Sequence, residues 1–584
     1  MAASVWALPA AALAATLELD FRPVFSGQTI QPDSLRYETA AKENFSITRI
    51  SYLVSGFALQ RADGSWLELT NEVAWFDLER GRSAHRVASV PAGEYRAFRF
   101  HLGLDEARNH SDPAQYAADH PLNPNLNNLH WNWQGGYIFL AVEGIWRNAA
   151  GALDGWSYHV ARDANRTGIN LSMPLNLANA TRLELDFDLA TLLNAPRPLA
   201  FAKDGSSSHS REGDPIAAAL AANLPGAFHV RRVGTATPEQ AAAPSVKPLY
   251  LPEKFTPYPF QMSATFPIPD LPRDNPLLSE RVALGEKLFH EPALSKDNTL
   301  SCASCHKAEA AFTDPRRYSI GVRDQVGTRN AMPLFNLAWR SSFFWDGRAP
   351  SLRAQALMPI QDHTEMDEML TNVVAKLVAA GGLSAATNYP VLFTAAFGSP
   401  EITPEKVGLA LESFVLTLTS FDSKFDRALK GAAQFNAEEQ RGFELFITEF
   451  DPRRGQFGAD CFHCHGGPLF QSQTFANNGL DAVFTDPGRA KIAGKSTDGG
   501  KFATPSLRNI ALTAPYMHDG RFATLEEVVA HYSTGVKRSA TLDPNLAKHP
   551  EGGLHLSAAD QRALVAFLRT LTDPKYETSG GKLK

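Results

Sequence analysis

Cysteine is scarce in this chain: 4 residues in 584, standing as two close pairs. That leaves none for a structural disulfide once the pairs are assigned. Runs of one charge are also missing. The formal net charge of -6 is mild and spread out, which argues against nucleic acid or an anionic membrane as the main partner. No apolar run is long enough to span a bilayer, and no short internal repeat is visible. The Ala/Leu-rich start, Val5 to Ala15, has no Lys or Arg before it. A signal-peptide remnant and a short disordered or β-strand terminus both fit it. The length implies several domains, each able to bury its own core.

What is present begins with those cysteines. They read Cys302-Ala-Ser-Cys305-His306 and Cys461-Phe-His-Cys464-His465. C-x-x-C-H is the attachment signature of c-type haem: two thiols add to the haem vinyl groups, and the adjacent histidine becomes the proximal iron ligand. The alternatives are a zinc site, a redox dithiol or two disulfides, and a zinc site built from both motifs would not need the trailing histidines. The sequence therefore implies two covalent haems, redox chemistry, and a periplasmic home where such haems are attached.

Patterning divides the chain. Leu183 to Leu189 alternates apolar and acidic residues, as a half-buried strand does. Rougher alternation runs from Ile47 to Leu59 and from Tyr95 to Leu104, and Tyr137 to Val142 is a continuous apolar run. Turn residues separate them, so the first third is predicted to be an all-β sandwich. Pro238 to Pro272 is proline-rich and aperiodic, a linker predicted to lie extended over a surface. From about Pro276 the pattern is helical. Ser279 is predicted to cap a helix through Phe289, Thr403-Pro404 to open a long one reaching Leu429, Asn436 to cap one through Phe446, and Ser557 one to Leu571. The resulting order is a β domain over 16–232, a linker over 233–275, and mostly α haem units over 276–431 and 432–584.

Over Pro276 to Leu571 the chain resembles the bacterial dihaem cytochrome c peroxidase family, especially its MauG-like branch. The motifs, in order, are Cys302–His306, Asn330, Phe344-Trp345-Asp346-Gly347-Arg348, Glu365-Met366, Cys461–His465 and Pro515-Tyr-Met-His-Asp-Gly520. The resemblance implies that His306 is the proximal ligand of a peroxide-reactive haem. Val322 stands where peroxidatic members hold a distal histidine, which implies an open haem. Glu365 matches the distal acid, with Gln355 and Pro359 beside it, and His363 reads as a surface histidine. Heterolysis of peroxide needs a proton moved between its oxygens, so an acid–base group suits the place. Trp345 matches the relay between the haems. Tyr532 matches the distal ligand of the second haem, with His531 and Met517 as neighbouring competitors. Tyrosine there implies oxidising equivalents shared as a bis-Fe(IV) state. Asn330, Thr513 and Pro515 match a Ca²⁺ site, the last two through backbone oxygen.

Over Thr16 to Arg232 the chain more weakly resembles MbnP, a periplasmic copper-binding family. The residues are His120, the run Leu129-His130-Trp131-Asn132-Trp133 to Tyr137, and Tyr158-His159. In that family a MauG-like partner, MbnH, oxidises a tryptophan to kynurenine, and copper binding depends on it. This resemblance implies copper held by His120 and His159, with His130 as a third candidate. Trp131 or Trp133 would be the tryptophan oxidised; in a strand both face one way. The combined expectation is a peroxide-using dihaem oxidase that modifies its own or a neighbouring chain's β domain. The rival is a dihaem peroxidase that draws electrons from a donor protein to remove hydrogen peroxide.

Overall fold

The structure is a computed structural model that describes residues 14–131, 135–177, 180–236, 249–379 and 388–577. Trp133 and most of the leader-like start lie outside these residues. The chain forms two compact units, residues 1–112 with 129–244, and residues 113–128 with 245–584.

In the first unit, a five-stranded sheet is built around Ala14–Phe25, which pairs in parallel with Thr181–Asp188. Leu19 faces Leu183 across that pairing, and both are fully buried. A ten-stranded sheet holds Arg49–Arg61, Gly93–Leu102, Gly136–Arg147 and Leu153–Ala161. The predicted strands are thus present, and alternation decided their faces: Leu183, Leu185 and Phe187 are all buried. Aromatic rings fill the space between the sheets. Phe21 lies 4.4 Å from Phe76 and 5.4 Å from Phe100, and Phe187 stacks on Phe228 at 4.5 Å. Each such ring contributes about 1.5–3 kcal/mol by leaving water. The helix Pro215–Ala227, capped by Asp214, accompanies the sheets.

The second unit is mostly helical and contains two matching helix crossings. Ser279–Phe289 meets Pro404–Leu416, and Ala437–Ile447 meets Ala558–Arg569. Both crossings depend on a glycine. A Cβ on Gly285 would sit 1.9 Å from the Ala410 carbonyl oxygen, and one on Gly442 would sit 1.9 Å from that of Ala563. Each pair brings a C-x-x-C-H motif after its first helix, so the two haem units are structural repeats.

Three local expectations change. Ser279 is the first helical residue, with Leu278 as the cap. The long helix expected to reach Leu429 ends at Leu416 and restarts as Lys424–Leu429. The break is held open by side chains: Asn336 Oδ1 accepts from Ser420 N–H at 3.0 Å, and Asp573 Oδ2 from Phe421 N–H at 2.9 Å. Ser423 then starts the next helix with a capping box to Asp426. The described part of the proline-rich stretch, expected to lie extended over a surface, packs as a strap. Phe266 is fully buried there, and the Trp339 indole donates to the Pro267 carbonyl at 2.6 Å. Residues 113–128, within the stretch expected to be one β domain, group with this unit: Asn123 Nδ2 donates to the Ile268 carbonyl at 3.2 Å and Gln473 Nε2 to Asn125 Oδ1 at 3.1 Å.

Candidate functional site

Cys302–Cys305 forms one helical turn capped by Ser301. His306 follows, and its Nδ1–H donates to the Phe312 carbonyl at 3.0 Å. Phe312 has φ +60°, a turn conformation that aims its carbonyl back at the imidazole. The second motif repeats this device: His465 Nδ1–H donates to the Phe470 carbonyl at 3.1 Å, and Phe470 has φ +51°. A proton fixed on Nδ1 leaves the Nε2 lone pair for a metal. Burial lowers the basicity of both rings, His465 to about 4, so both are neutral, as ligation requires. All four thiols are unbridged. These donor sets fit covalent haem c at both motifs.

Beside the first motif, the loop holding Val322 packs on the segment Thr364-Glu365. Val322 N–H donates to the Glu365 carbonyl at 2.8 Å, and Val322 is buried. Gly321 permits this approach, since a Cβ there would lie 2.1 Å from the Thr364 carbonyl oxygen. Glu365 is tied to the helix Leu352–Gln361, which carries Gln355 and Pro359, because Met366 N–H donates to the Pro359 carbonyl at 3.2 Å. Burial, aided by the Asp362 charge and opposed by Arg348, raises the Glu365 carboxyl to about 7. Its charge is felt at both Cys302 and Cys305. A carboxyl poised near neutrality beside an attachment site can take up and return a proton. The side chain of His363 is 82% exposed, a surface histidine.

The second motif opens on a mainly apolar cavity of about 220 Å³ that Cys461, Cys464, His465, Tyr532, Met517 and Trp345 help to line. Tyr532 is delivered by an unusual turn. Thr524 caps the helix Leu525–Ala530, which passes into the wider π-helical turn His531–Gly535. Such turns gather at functional sites. His531 is turned elsewhere, its Nε2 donating to the Asn478 carbonyl at 3.0 Å. The Trp345 indole donates to the Asn330 carbonyl at 2.9 Å. Asn330, Thr513 and Pro515 border the same cavity.

In the β unit, Trp131 is buried, with its ring 5.8 Å from His159 and 5.6 Å from His209. The two imidazoles are 4.7 Å apart. His159 sits on the strand Leu153–Ala161, and its Nε2 meets Glu143 Oε1 at 2.9 Å; Arg49 holds that carboxylate at 2.8 Å. His209 is brought alongside because Ser207–Ser208 pairs with the same strand and Ser210 Oγ donates to the His159 carbonyl at 2.8 Å. Sequence reasoning missed His209, which lies in a serine-rich turn without periodicity. His120, expected with His159 as a copper ligand, lies in its own local setting. His120 belongs with residues 113–128 of the other unit, stacks on Tyr116 at 4.5 Å, and its Nδ1 accepts from Leu122 N–H at 3.1 Å. That nitrogen is engaged in a local turn. His130 packs edge-on against Tyr137 at 4.7 Å.

Comparison with known proteins adds two family matches. The profile of di-haem cytochrome c peroxidases (CCP_MauG) matches residues 279–434, and that of MbnP matches residues 14–210. The methylamine utilization protein MauG of Methylorubrum extorquens is 39% identical over 304 residues, 51% of this chain and 80% of that protein. The cytochrome c551 peroxidase of Nitrosomonas europaea is 35% identical over 273 residues, 46% of this chain and 77% of that protein. A crystal structure of a MauG-like protein associated with microbial copper homeostasis shares 34% identity, with 55% of this chain and 98% of that chain covered and a TM-score of 0.49.

Proposed function

Starting from the chain's membership of the dihaem cytochrome c peroxidase (MauG) family, with an MbnP domain ahead of the haem module, we propose that it uses peroxide to oxidise Trp131 to kynurenine and so completes a copper site. The observation that carries this reading is the contact of Trp131 with His159 and His209 in the domain joined to the haem module. Bound haem supplies the site where peroxide is reduced and the oxidising power that results.

The chain's own residues supply the rest. His306 and His465 present neutral Nε2 lone pairs, held by their Nδ1–H bonds. Glu365 takes the proton from the inner peroxide oxygen and delivers it to the outer one. Gln355 and Pro359 would stand beside it, and Val322, a side chain with no metal-binding atom, would leave a haem bound there without a second protein ligand. Trp345 offers an oxidisable indole at the second cavity, and Tyr532 would offer an oxygen ligand to a haem held there by His465. Asn330, with the carbonyls of Thr513 and Pro515, offers the hard oxygen donors that suit Ca²⁺.

Two equivalents of peroxide cleave the indole C2–C3 bond of Trp131, placing one oxygen on each carbon and releasing two waters. Hydrolysis of the formyl group then gives kynurenine and formate. His159 and His209 are the copper ligands. Glu143 orients His159 through Nε2, which puts that ring's lone pair on Nδ1, the carboxylate–imidazole arrangement common around metals. Imidazole pairs suit copper. The β domain acted on is that of the same or a neighbouring chain, and the periplasm is where the haems are attached.

Peptide mass spectrometry before and after peroxide tests this. Trp131 should convert to kynurenine, copper affinity should rise afterwards, and Trp131→Phe should abolish both. Unmodified Trp131 with rapid turnover of a small electron donor would replace this reading with that of a peroxide-removing peroxidase. Modification of Trp133 alone would move the site.

A further inference from the structure

The Asn478 amide lies beside two side chains whose atoms are able to ligate iron. Its Nδ2 lies 3.4 Å from the Tyr532 hydroxyl oxygen and 3.4 Å from the Met517 sulfur. All three residues line the cavity that contains His465, Cys461 and Cys464. The Asn478 backbone meanwhile ties down the third candidate, accepting the Nε2 proton of His531. One residue thus withdraws the imidazole and presents the phenol and the thioether side by side.

The framework around these atoms is rigid. Gly479 has φ +70°, and a Cβ there would lie 2.6 Å from Val536 Cγ1, so only glycine lets the Asn478 segment close on the turn that bears Tyr532. Lys537 N–H donates to the Gly479 carbonyl at 2.7 Å and clips the two segments together. Gly553, with φ +130°, packs where a Cβ would be 2.3 Å from the Tyr532 carbonyl oxygen. Met517 itself has φ +74°. A non-glycine residue in that region costs free energy and persists when surrounding structure imposes it, often at functional sites. Here the strain fixes the direction in which a sulfur enters the second haem cavity.

We propose that Tyr532 and Met517 are alternative axial ligands of the second haem, exchanged with its oxidation state, and that Asn478 is the positioning residue that keeps both within reach. This rests on the reading of Tyr532 as the ligand in the oxidised protein. The chemistry of the donors sets the direction. Phenolate is hard and anionic and favours iron of higher charge. Thioether is soft and neutral and favours Fe(II), raising the potential where it binds. When an external electron donor reduces the iron by one electron, the Tyr532 oxygen–iron bond would break, the phenolate would take a proton from solvent water and return to its hydrogen bond with Asn478, and the Met517 sulfur would bind in its place. On oxidation the exchange reverses. The amide nitrogen carries two N–H donors and lies at the same distance from both neighbours, so it can hold whichever of the two is released.

The test uses the purified diferric and fully reduced holoprotein, read by absorption and magnetic circular dichroism and by carbon monoxide binding. In the reduced wild type the second haem should be low-spin and six-coordinate, with one carbon monoxide bound per chain, at the open first haem. Met517→Leu conserves volume. It should leave the oxidised spectrum unchanged, make the reduced second haem high-spin, and raise carbon monoxide uptake to two per chain. Tyr532→Phe should change the oxidised spectrum and leave the reduced one unchanged. Asn478→Ala should give a mixture of phenolate and thioether signatures in the oxidised state. If Met517→Leu leaves the reduced spectrum and gas stoichiometry as in wild type while Tyr532→Phe alters the oxidised one, the exchange is overturned and the Tyr532 ligand stands. An unaltered oxidised spectrum in Tyr532→Phe overturns the ligand assignment itself.

Discussion

Glu365→Gln should make the protein more stable and nearly inactive toward peroxide, and both effects should depend on pH. The carboxyl is raised from 4.5 to about 7 by burial. A folded-state value above the unfolded one means that the native protein holds the proton more tightly. The stability this provides is complete below about pH 4.5 and is lost as pH rises through about 7. At pH 8 the folded protein carries a buried carboxylate at a cost of up to about 3 kcal/mol, and at pH 5 that cost falls to about 1 kcal/mol or less. Glutamine removes the ionisation and so removes the cost. Thermal unfolding of holoprotein should therefore show the variant gaining on wild type at pH 8 and much less at pH 5. Stopped-flow mixing with peroxide should show the opposite ranking. The wild-type rate should climb as Glu365 ionises around pH 7, because only the carboxylate can accept the first proton. The variant should be flat with pH and slower by about two to four powers of ten. Equal stability gains at both pH values would refute the burial argument, and an unchanged peroxide rate would remove Glu365 from the chemistry.

Other perturbations follow from the same geometry. Gly321→Ala forces a Cβ against the Thr364 carbonyl and should slow peroxide activation several-fold by displacing Glu365, with the second haem's spectrum as the unchanged control. Arg508 and Asp426 form a fully buried bidentate pair at 2.7 and 2.8 Å; Arg508→Met should cost about 3–5 kcal/mol in denaturant unfolding by leaving an uncompensated carboxylate, and adding Asp426→Asn should recover part of it. Asn330→Ala should lower the Ca²⁺ content of chelator-washed and reloaded protein by elemental analysis, and equal content in the variant and wild type would exclude Asn330 from that site.

The two C-x-x-C-H motifs were legible because their chemistry is local: thiols and imidazole within five residues leave little for the fold to decide. The strands at 49–61 and 181–188 and the caps Thr403, Asn436 and Ser557 were legible for the same reason, since alternation and capping act over a few residues. The break between Leu416 and Lys424 was not, because the groups that hold it open, Asn336 and Asp573, lie far away in sequence. The same holds for the site. Sequence placed Glu365 by resemblance, but the burial that chiefly raises its carboxyl to about 7 exists only in the fold. Sequence named Trp131 and His159 while overlooking His209, which reaches them through a short parallel pairing some fifty residues on. It assigned His120 to the β domain, whereas hydrogen bonds to the strap and to Gln473 hold residues 113–128 in the haem-bearing unit. Asn478 carries no motif at all. Its role arises where a π-turn, a strained Met517 and a glycine-dependent close approach converge, because the contacts that bring three distant segments to one amide exist only after the chain has folded.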